Sequence, residues 1–261
     1  MALHIRMINL DTKLTTYDRQ HRVYSIDMLR GFAMVYIMLY HVFYDLITFA
    51  GVPLPFFYTD WWGFLHTFFV SLLFVVSGIS THFSRNSLKR GVIIFLFGQV
   101  ITLVTAAAEN ITGAADITIV FGVLTFIGLS MMIYSVIRPG LEKLDMPWGL
   151  LFFISIALYV IFLIYPPHGM FVPRTMWLYP LGMISPAFHS ADYFPLVPNF
   201  FIFLAGTALA APIVKGRFPK FFYKVRALPL EFIGRHSLLF YILHQPAILF
   251  VLFLTGVIKL G

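Results

Sequence analysis

Cysteine is absent from the 261 residues, and charged side chains make up only 11% of them. Without a thiol the chain has no disulfide, no thiolate metal site and no cysteine nucleophile. Because 60% of the residues are hydrophobic, the chain carries more apolar surface than a water-soluble domain of this length can bury. The composition therefore predicts an integral membrane protein in contact with lipid.

Several recognisable signals are also missing. The first 25 residues are polar and mixed in charge, without the apolar core and small-residue cleavage site of a removable signal peptide. We find no glycine-rich phosphate loop, no nucleophile elbow and no H-E-x-x-H pair, and we predict no metal. We therefore expect a cytoplasmic segment over residues 1–25, followed by a single transmembrane domain over 26–261 whose first span acts as its own insertion signal.

Long apolar runs dominate the rest of the chain. A helix needs about 20 apolar residues to cross a bilayer. On this basis we predict an all-α, polytopic transmembrane helical bundle with about seven spans. The predicted spans lie near residues 26–49, 61–81, 91–108, 116–137, 147–165, 195–214 and 236–257.

The basic residues cluster between alternate spans. In the seven-span topology, sixteen of the eighteen Lys and Arg residues fall on one side, and only Arg174 and Lys259 fall on the other. The positive-inside rule makes the first side cytoplasmic, so the amino terminus is predicted inside and the carboxyl terminus outside. This pattern explains the formal charge of +7 and excludes nucleic acid as the expected partner.

One segment does not fit a simple span. Residues 166–198 are rich in proline and mix aromatic with ionisable side chains. Non-helical backbone at membrane depth is tolerated only where protein or water surrounds it. We therefore interpret this segment as an irregular outer-side loop or a re-entrant cap over a cavity.

The first predicted span carries four ionisable residues on one face. Arg30 and His41 are eleven residues apart, and eleven steps of about 100° bring them within about 20° of one another on a helix. Asp27 and Asp45 fall on the same stripe. Ionisable groups inside a membrane are costly and commonly face a wet cavity, where they mark a pathway or a reaction centre.

This stripe suggests specific roles, each with a simpler alternative. A neutral His41 can act as a general base, with Asp45 one turn away to fix its tautomer. Arg30, held by Asp27, is suited to the phosphates of coenzyme A. Alternatively, His41 and Asp45 are a packed histidine and a hydrated aspartate, and Arg30 is an anchor that reaches back to the headgroups.

Other candidates lie outside the first span. The last span is unusually polar and includes His244, which is either a second catalytic residue or a histidine bonded to a carbonyl freed by Pro246. We group Arg235, at the start of that span, with the donor-binding residues. Three further residues are either solvated or bind an acceptor sugar: Glu109, Asp192 and Tyr193.

Several segments together resemble a known family. They are Ser25-Ile26-Asp27-Met28-Leu29-Arg30-Gly31-Phe32-Ala33 with His41 and Asp45-Leu46, then Ser77-Gly78-Ile79-Ser80, Phe121-Gly122-Val123-Leu124, Ser190-Ala191-Asp192-Tyr193-Phe194-Pro195, and Gly234-Arg235 through Ser237-Leu238 to His244-Gln245-Pro246. Their order resembles short bacterial members of the heparan-alpha-glucosaminide N-acetyltransferase catalytic-domain family. The Arg30 to His41 spacing is also similar to that of the acyltransferase-three family. Thr125 and His236 depart from the pattern, standing where a His and an Asn are expected.

The resemblance implies a membrane acyltransferase of a prokaryotic plasma (inner) membrane. Such an enzyme would move an acyl group, expected to be acetyl, from cytoplasmic acetyl-CoA to a sugar or glycan, by O- or N-acylation. By the likeness His41 is the base and Arg30 a donor-side residue. Direct attack and a transient acyl-histidine both remain open, as does a homo-oligomer. The alternatives are a small-molecule or proton-coupled transporter and a non-catalytic binding scaffold.

Overall fold

The chain is helical in the computed structural model, which describes residues 23–113, 116–167 and 176–257. Within these ranges there is no β-strand, and one isolated bridge pairs Phe121 with Tyr193. The all-α prediction is confirmed. The α-helices of these ranges are α1 (Tyr24–Thr48), α2 (Asp60–His82), α3 (Ser87–Thr112), α4 (Val123–Lys143), α5 (Trp148–Ile164), α6 (Leu196–Val214), α7 (Lys220–Lys224), α8 (Leu228–Arg235) and α9 (Ser237–Leu254).

Six of these helices are long and apolar enough to cross a membrane: α1, α2, α3, α4, α6 and α9. The remaining predicted span, 147–165, corresponds to α5, a shorter apolar helix of 17 residues. That length is at the lower limit for a crossing. The protein is thus an integral membrane protein with a polytopic helical fold, as predicted. The cytoplasmic position of the amino terminus stays a prediction, and residues 1–22 lie outside the described residues.

Several span boundaries differ from the sequence-based prediction, most of all those of the fourth span. The fourth helix begins at Val123 rather than at 116, because Gly122 is extended (φ −79°, ψ −177°) and residues just before it pair with another loop. Before the last span, the chain first forms the short helix α8 and then bends at His236 (φ −105°, ψ 22°) into α9. Apolar runs set where a span can lie, whereas local backbone pairing sets where the helix begins.

The chain divides into two compact units. The first comprises residues 1–76 and 214–261, and the second comprises residues 77–213. In the first unit α1 packs on α7, α8 and α9. In the second unit α3 packs on α4. A single domain over 26–261 stays a prediction.

In the first unit, two glycines let α1 and α8 meet backbone to backbone. A Cβ on Gly31 would lie 1.9 Å from the Leu230 carbonyl oxygen, and one on Gly234 would lie 1.8 Å from the Asp27 carbonyl oxygen. Any side chain at either position would force the helices apart. This contact places the start of α1 directly beside the end of α8.

In the second unit, glycines again allow close contact between helices at two places. Gly91 and Gly128 bring α3 against α4, with a Cβ on Gly128 only 2.4 Å from the Phe95 nitrogen. Gly78, at the end of α2, lies against the Phe203 carbonyl of α6. Small residues allow such close approach between helices in a membrane, where apolar burial gives little drive for association.

The described residues 176–195 of the proline-rich segment include no α-helix. A 3-10 helix spans Met176–Leu181, and a loop without regular helix follows until α6 begins at Leu196. Residues 168–175, with His168 and Arg174, lie outside the described residues, as does Lys259. Whether this segment enters the bilayer stays a prediction.

Candidate active site

In the first unit, residues of α1 and of the helices packed against it form two polar clusters. We call the first the ionic cluster; it consists of Asp27, Arg30, Arg226, Glu231 and Arg235. We call the second the histidine cluster; it consists of His41, Asp45, His66, His244 and Gln245. Arg30 and His41 are about 16 Å apart along α1, at 1.5 Å per residue. Each predicted catalytic or donor-binding residue belongs to one of the two clusters.

The protonation of His41 follows from its hydrogen bond. Its Nδ1 lies 2.9 Å from the carbonyl oxygen of Ile37, one turn earlier in α1. A carbonyl oxygen can only accept, so Nδ1 carries the proton. In the neutral ring the lone pair is therefore on Nε2, which is the nitrogen able to accept a proton.

His244 of α9 is arranged in the same way beside His41. The two rings meet edge to face with their centroids 4.8 Å apart. His244 Nδ1 lies 2.6 Å from the Tyr241 carbonyl oxygen and so donates to it. Its Nε2 is buried and has no hydrogen-bond partner among the described residues. Two imidazoles with proton-accepting Nε2 atoms thus share one site.

Asp45 does not orient His41 in the way we expected. The carboxylate has 0% exposure, and the amide nitrogen of Gln245 donates to its two oxygens at 2.9 and 2.8 Å. No hydrogen bond joins Asp45 to His41 in the described part of the chain, and the Ile37 carbonyl fixes the tautomer instead. The prediction that Asp45 fixes the tautomer of His41 is corrected accordingly. Asp45 and His41 remain one turn apart on α1.

His66 completes the histidine cluster from α2. Its ring stacks on Tyr40 with a centroid distance of 4.0 Å, and Tyr40 meets His41 edge to face. Three imidazoles from three helices are therefore linked by ring contacts, directly between His41 and His244 and through Tyr40 to His66. Only two of them were found from the sequence.

The ionic cluster forms where α1 meets α8. Arg30 donates to Asp27 at 3.3 Å and to the Gly234 carbonyl at 3.2 Å, and its side chain is only 17% exposed. Arg235 Nε lies 3.7 Å from the same Asp27 carboxylate. Arg30 is thus bonded inside the protein rather than extended towards headgroups, and the predicted donor-binding residues Asp27, Arg30 and Arg235 lie together.

Glu231, which the sequence did not single out, holds the two outer arginines. Its side chain has 1% exposure, and it accepts from Arg226 Nε and Nη2 at 2.7 and 2.9 Å and from Arg235 at 3.4 Å. The Arg226 guanidinium also lies over the Tyr24 ring, 3.4 Å from its centroid. The hydrogen bonds from Arg226 lower the pKa of Glu231 below its ordinary value, so the carboxylate is ionised at neutral pH.

The predicted acceptor-binding residues lie in the second unit, where each supports a loop. Glu109 accepts from the Thr118 nitrogen at 2.8 Å and from its hydroxyl at 2.6 Å. The Tyr193 hydroxyl donates to the Tyr179 carbonyl, and burial raises the pKa of that phenol. Asp192 lies beside Gly122, where a Cβ would come within 3.0 Å of its carboxylate. A role in binding an acceptor stays a prediction for all three.

No group of three or more His, Asp or Glu residues in the described ranges is arranged to hold a metal ion. The three imidazoles of the histidine cluster are likewise not arranged to bind one metal ion together. The histidine cluster offers imidazoles for proton transfer, and the ionic cluster offers guanidinium groups for electrostatic contact.

Sequence reasoning missed His66, Gln245, Arg226 and Glu231. His66 had a usable signal, since it is an ionisable residue within an apolar span. Gln245 was visible in the last span but had no assigned partner. Arg226 and Glu231 lie between spans, where charged residues are most often solvated, so only the folded structure reveals that Glu231 is buried.

A polytopic helical bundle with imidazoles facing one another inside its first unit defines a membrane enzyme or a carrier. The comparison with protein families decides between these classes. The family model for heparan-alpha-glucosaminide N-acetyltransferase, catalytic, matches residues 22–246. The chain belongs to this family and is a membrane acetyltransferase. No curated protein and no solved structure matches it.

The match confirms the family resemblance and covers both clusters on α1. It also includes the second-unit residues proposed to contact the acceptor. A relation to the acyltransferase-three family stays a prediction. The membrane that holds the protein stays a prediction as well.

The ionised state of Glu231 leads to a pH-dependent stability. Its folded pKa is lower than the ordinary value of 4.5, so its contribution is fully present above that pH and is lost as the pH falls through the folded pKa. We expect Glu231→Gln to lower the midpoint of thermal unfolding at pH 7, and we expect this difference to shrink progressively below about pH 4.5. Thermal unfolding of both proteins in the same detergent, from pH 7 to pH 3, measures it.

The matched control is Glu142→Gln, which removes a carboxylate paired with Arg138 near the surface. An exposed pair of this kind contributes roughly 0.5 kcal/mol or less, so this variant should differ little from the parent at any pH. If the unfolding midpoint of Glu231→Gln stays below that of the parent by the same amount down to pH 3, the assigned ion pairs are contradicted.

Proposed function

We propose that the protein moves an acetyl group from cytoplasmic acetyl-CoA to a sugar or glycan acceptor on the outer side of the membrane, with His41 as general base. The observation that carries this proposal is the hydrogen bond from His41 Nδ1 to the Ile37 carbonyl. It leaves Nε2 as the proton acceptor in the neutral ring. Family membership supplies the reaction class.

The chemistry follows from one proton transfer. His41 Nε2 removes the proton from an acceptor hydroxyl or amine as that oxygen or nitrogen attacks the thioester carbonyl carbon. A carbon–oxygen or carbon–nitrogen bond forms, the carbon–sulfur bond breaks, and the imidazolium returns its proton to the departing thiolate. Because the chain has no cysteine, we favour direct attack over a thioester intermediate on the protein.

The other members of the histidine cluster support the charged form of His41. Asp45 is a buried carboxyl group held by Gln245 on the same helix as His41, and we propose that it stabilises the imidazolium formed during proton transfer. His244 presents a second buried Nε2 next to the reacting ring, so we propose that it passes a proton to or from His41. Both are thus proposed to act at the proton-transfer step.

The ionic cluster fits the phosphate-bearing end of the donor. It contains three guanidinium groups and two carboxylates, and therefore has a net positive charge near one end of α1. Guanidinium groups bind phosphate through paired hydrogen bonds. A donor whose phosphates lie at this cluster could extend along α1 with its thioester towards His41.

The experiment that tests this function uses the absence of cysteine. A thiol reagent detects only released coenzyme A, because the protein has no thiol of its own. We expect purified protein to release free coenzyme A from labelled acetyl-CoA only when an amino sugar or glycan acceptor is added. The label should then appear in the acceptor.

Two outcomes would contradict the proposal. One is the absence of any acetyl-CoA binding by folded protein. The other is uptake of an acceptor into proteoliposomes without acetylation, which is the result that a carrier predicts. Placing donor and acceptor in opposite compartments of the proteoliposome also tests the predicted direction of transfer.

A further inference from the structure

We propose that Arg226 and Arg235, held in place by Glu231, bind the phosphate groups of the acyl donor, with Arg226 as the principal contact. This inference rests on the proposed function and divides the roles within the ionic cluster: Arg226 and Arg235 contact the phosphates, and Glu231 holds the two arginines in position. It also changes the role of Arg30 from direct donor binding to positioning Asp27.

The first observation is the shared carboxylate. Glu231 accepts two hydrogen bonds from Arg226 at 2.7 and 2.9 Å and one from Arg235 at 3.4 Å. Arg226 also lies over the Tyr24 ring. These contacts fix the planes of the two guanidinium groups before any ligand binds. Preorganised donors lose less entropy when a ligand arrives.

The second observation is the distribution of exposure. Glu231 and Asp27 are buried, whereas the side chains of Arg226 and Arg235 are 42% and 36% exposed. The negative groups are therefore on the inside of the cluster and the positive groups face outwards. A ligand that approaches this surface meets guanidinium groups, and the arrangement selects an anion.

The third observation concerns energetics. The pairs with the arginines keep Glu231 ionised, but stability alone does not require both guanidinium groups to stay exposed beside it. Because one buried carboxylate orients two exposed guanidinium groups, we interpret the arrangement as a binding site for an anionic ligand. Planar forks of this kind match the oxygen geometry of phosphate, which a single lysine does not.

Arg30 differs from these two arginines. Its side chain is mostly buried and donates to Asp27 and to the Gly234 carbonyl. Asp27 in turn faces Arg235 at 3.7 Å. Arg30 therefore holds Asp27 between α1 and α8, and Arg226 and Arg235 form the surface that the donor phosphates contact.

The test compares donors that share a thioester but differ in their phosphates. Acetyl-CoA carries all of its phosphates, acetyl-dephospho-CoA lacks the 3′-phosphate, and acetyl-pantetheine has none. We expect Arg226→Ala to raise the KM for acetyl-CoA about 10- to 100-fold, the loss expected for one or two charge-assisted hydrogen bonds. We expect kcat/KM for acetyl-pantetheine to be unchanged within about twofold.

Three further variants define the role. Arg226→Lys keeps the charge but loses the planar fork, so it should recover only part of the affinity. Glu231→Gln should raise the KM for acetyl-CoA without affecting acetyl-pantetheine, because it acts through the arginines. Arg217→Ala removes an exposed cation from the same connecting segment and should leave the KM for acetyl-CoA within about twofold.

Two results would overturn the inference: an equal loss with acetyl-CoA and acetyl-pantetheine, or an unchanged KM for acetyl-CoA in Arg226→Ala. Binding of coenzyme A itself, measured by calorimetry, separates this inference from the proposed function. If the parent protein binds coenzyme A and Arg226→Ala binds it equally well, only the phosphate site is wrong. If the parent binds none, both proposals fail. A thermal unfolding scan confirms that each variant is folded.

Discussion

Replacing His41 by alanine should lower kcat for acetyl transfer about 10²- to 10⁴-fold, the usual contribution of a general base. The KM for acetyl-CoA should change little, because the proposed phosphate contacts belong to the ionic cluster, whose Arg30 lies about 16 Å from His41 along α1. The measurement is acceptor-dependent release of coenzyme A by the purified variant. Added imidazole should restore part of the rate, which a purely structural role for the side chain would not produce.

The chain contains a well-matched control for this experiment. His236 also donates its Nδ1 proton to a carbonyl one turn earlier, that of Phe232, at 2.9 Å, but its side chain is exposed. His236→Ala should therefore retain the parent rate within about twofold. A His41→Ala protein that is folded and turns over at the parent rate would rule out the assigned base.

The fold was largely accessible from the sequence because the bilayer imposes a simple length requirement. Each predicted apolar run of about 20 residues corresponds to a helix, including the shorter α5. What hydropathy could not give was the extended backbone before Val123 or the short helix α8. Those features depend on pairing between distant segments, such as the bridge from Phe121 to Tyr193.

The candidate site was accessible in part for a related reason. Helical periodicity placed Asp27, Arg30, His41 and Asp45 on one face of α1, and the structure brings Arg235 and His244 to that face as well. The hydrogen-bond partners could not be read from spacing. Asp45 is one turn from His41, yet its carboxylate is bonded to Gln245, 200 positions away in the sequence.

Glu231 shows the limit of composition-based reasoning most clearly. A glutamate among several basic residues between two spans has the sequence character of a solvated loop. In the structure α8 packs against α1 and buries that carboxylate beneath Arg226 and Arg235. The close approach of the two helices is what converts a connecting segment into part of the site, and it depends on Gly31 and Gly234.

Replacing Gly234 by alanine should therefore destabilise the protein strongly. The new Cβ would lie 1.8 Å from the Asp27 carbonyl oxygen, and a backbone atom in a helix cannot move aside as a flexible side chain can. Overpacking commonly costs about 1–3 kcal/mol, and we expect the upper end of that range or more here. The measurement is the midpoint of thermal unfolding in detergent, which should fall markedly for Gly234→Ala and for Gly31→Ala.

Gly63 provides the matched control, since it lies in α2 and a Cβ there would meet nothing within 4 Å. Alanine stabilises a helix by up to about 1 kcal/mol relative to glycine, so Gly63→Ala should unfold at the parent temperature or slightly above it. A Gly234→Ala protein as stable as Gly63→Ala would show that α1 and α8 are not in backbone contact.

Separating α1 from α8 would also move Arg235 away from Asp27, so any folded Gly234→Ala protein should also bind coenzyme A less tightly. Loss of both stability and donor affinity would show that the arrangement of the ionic cluster depends on this glycine contact.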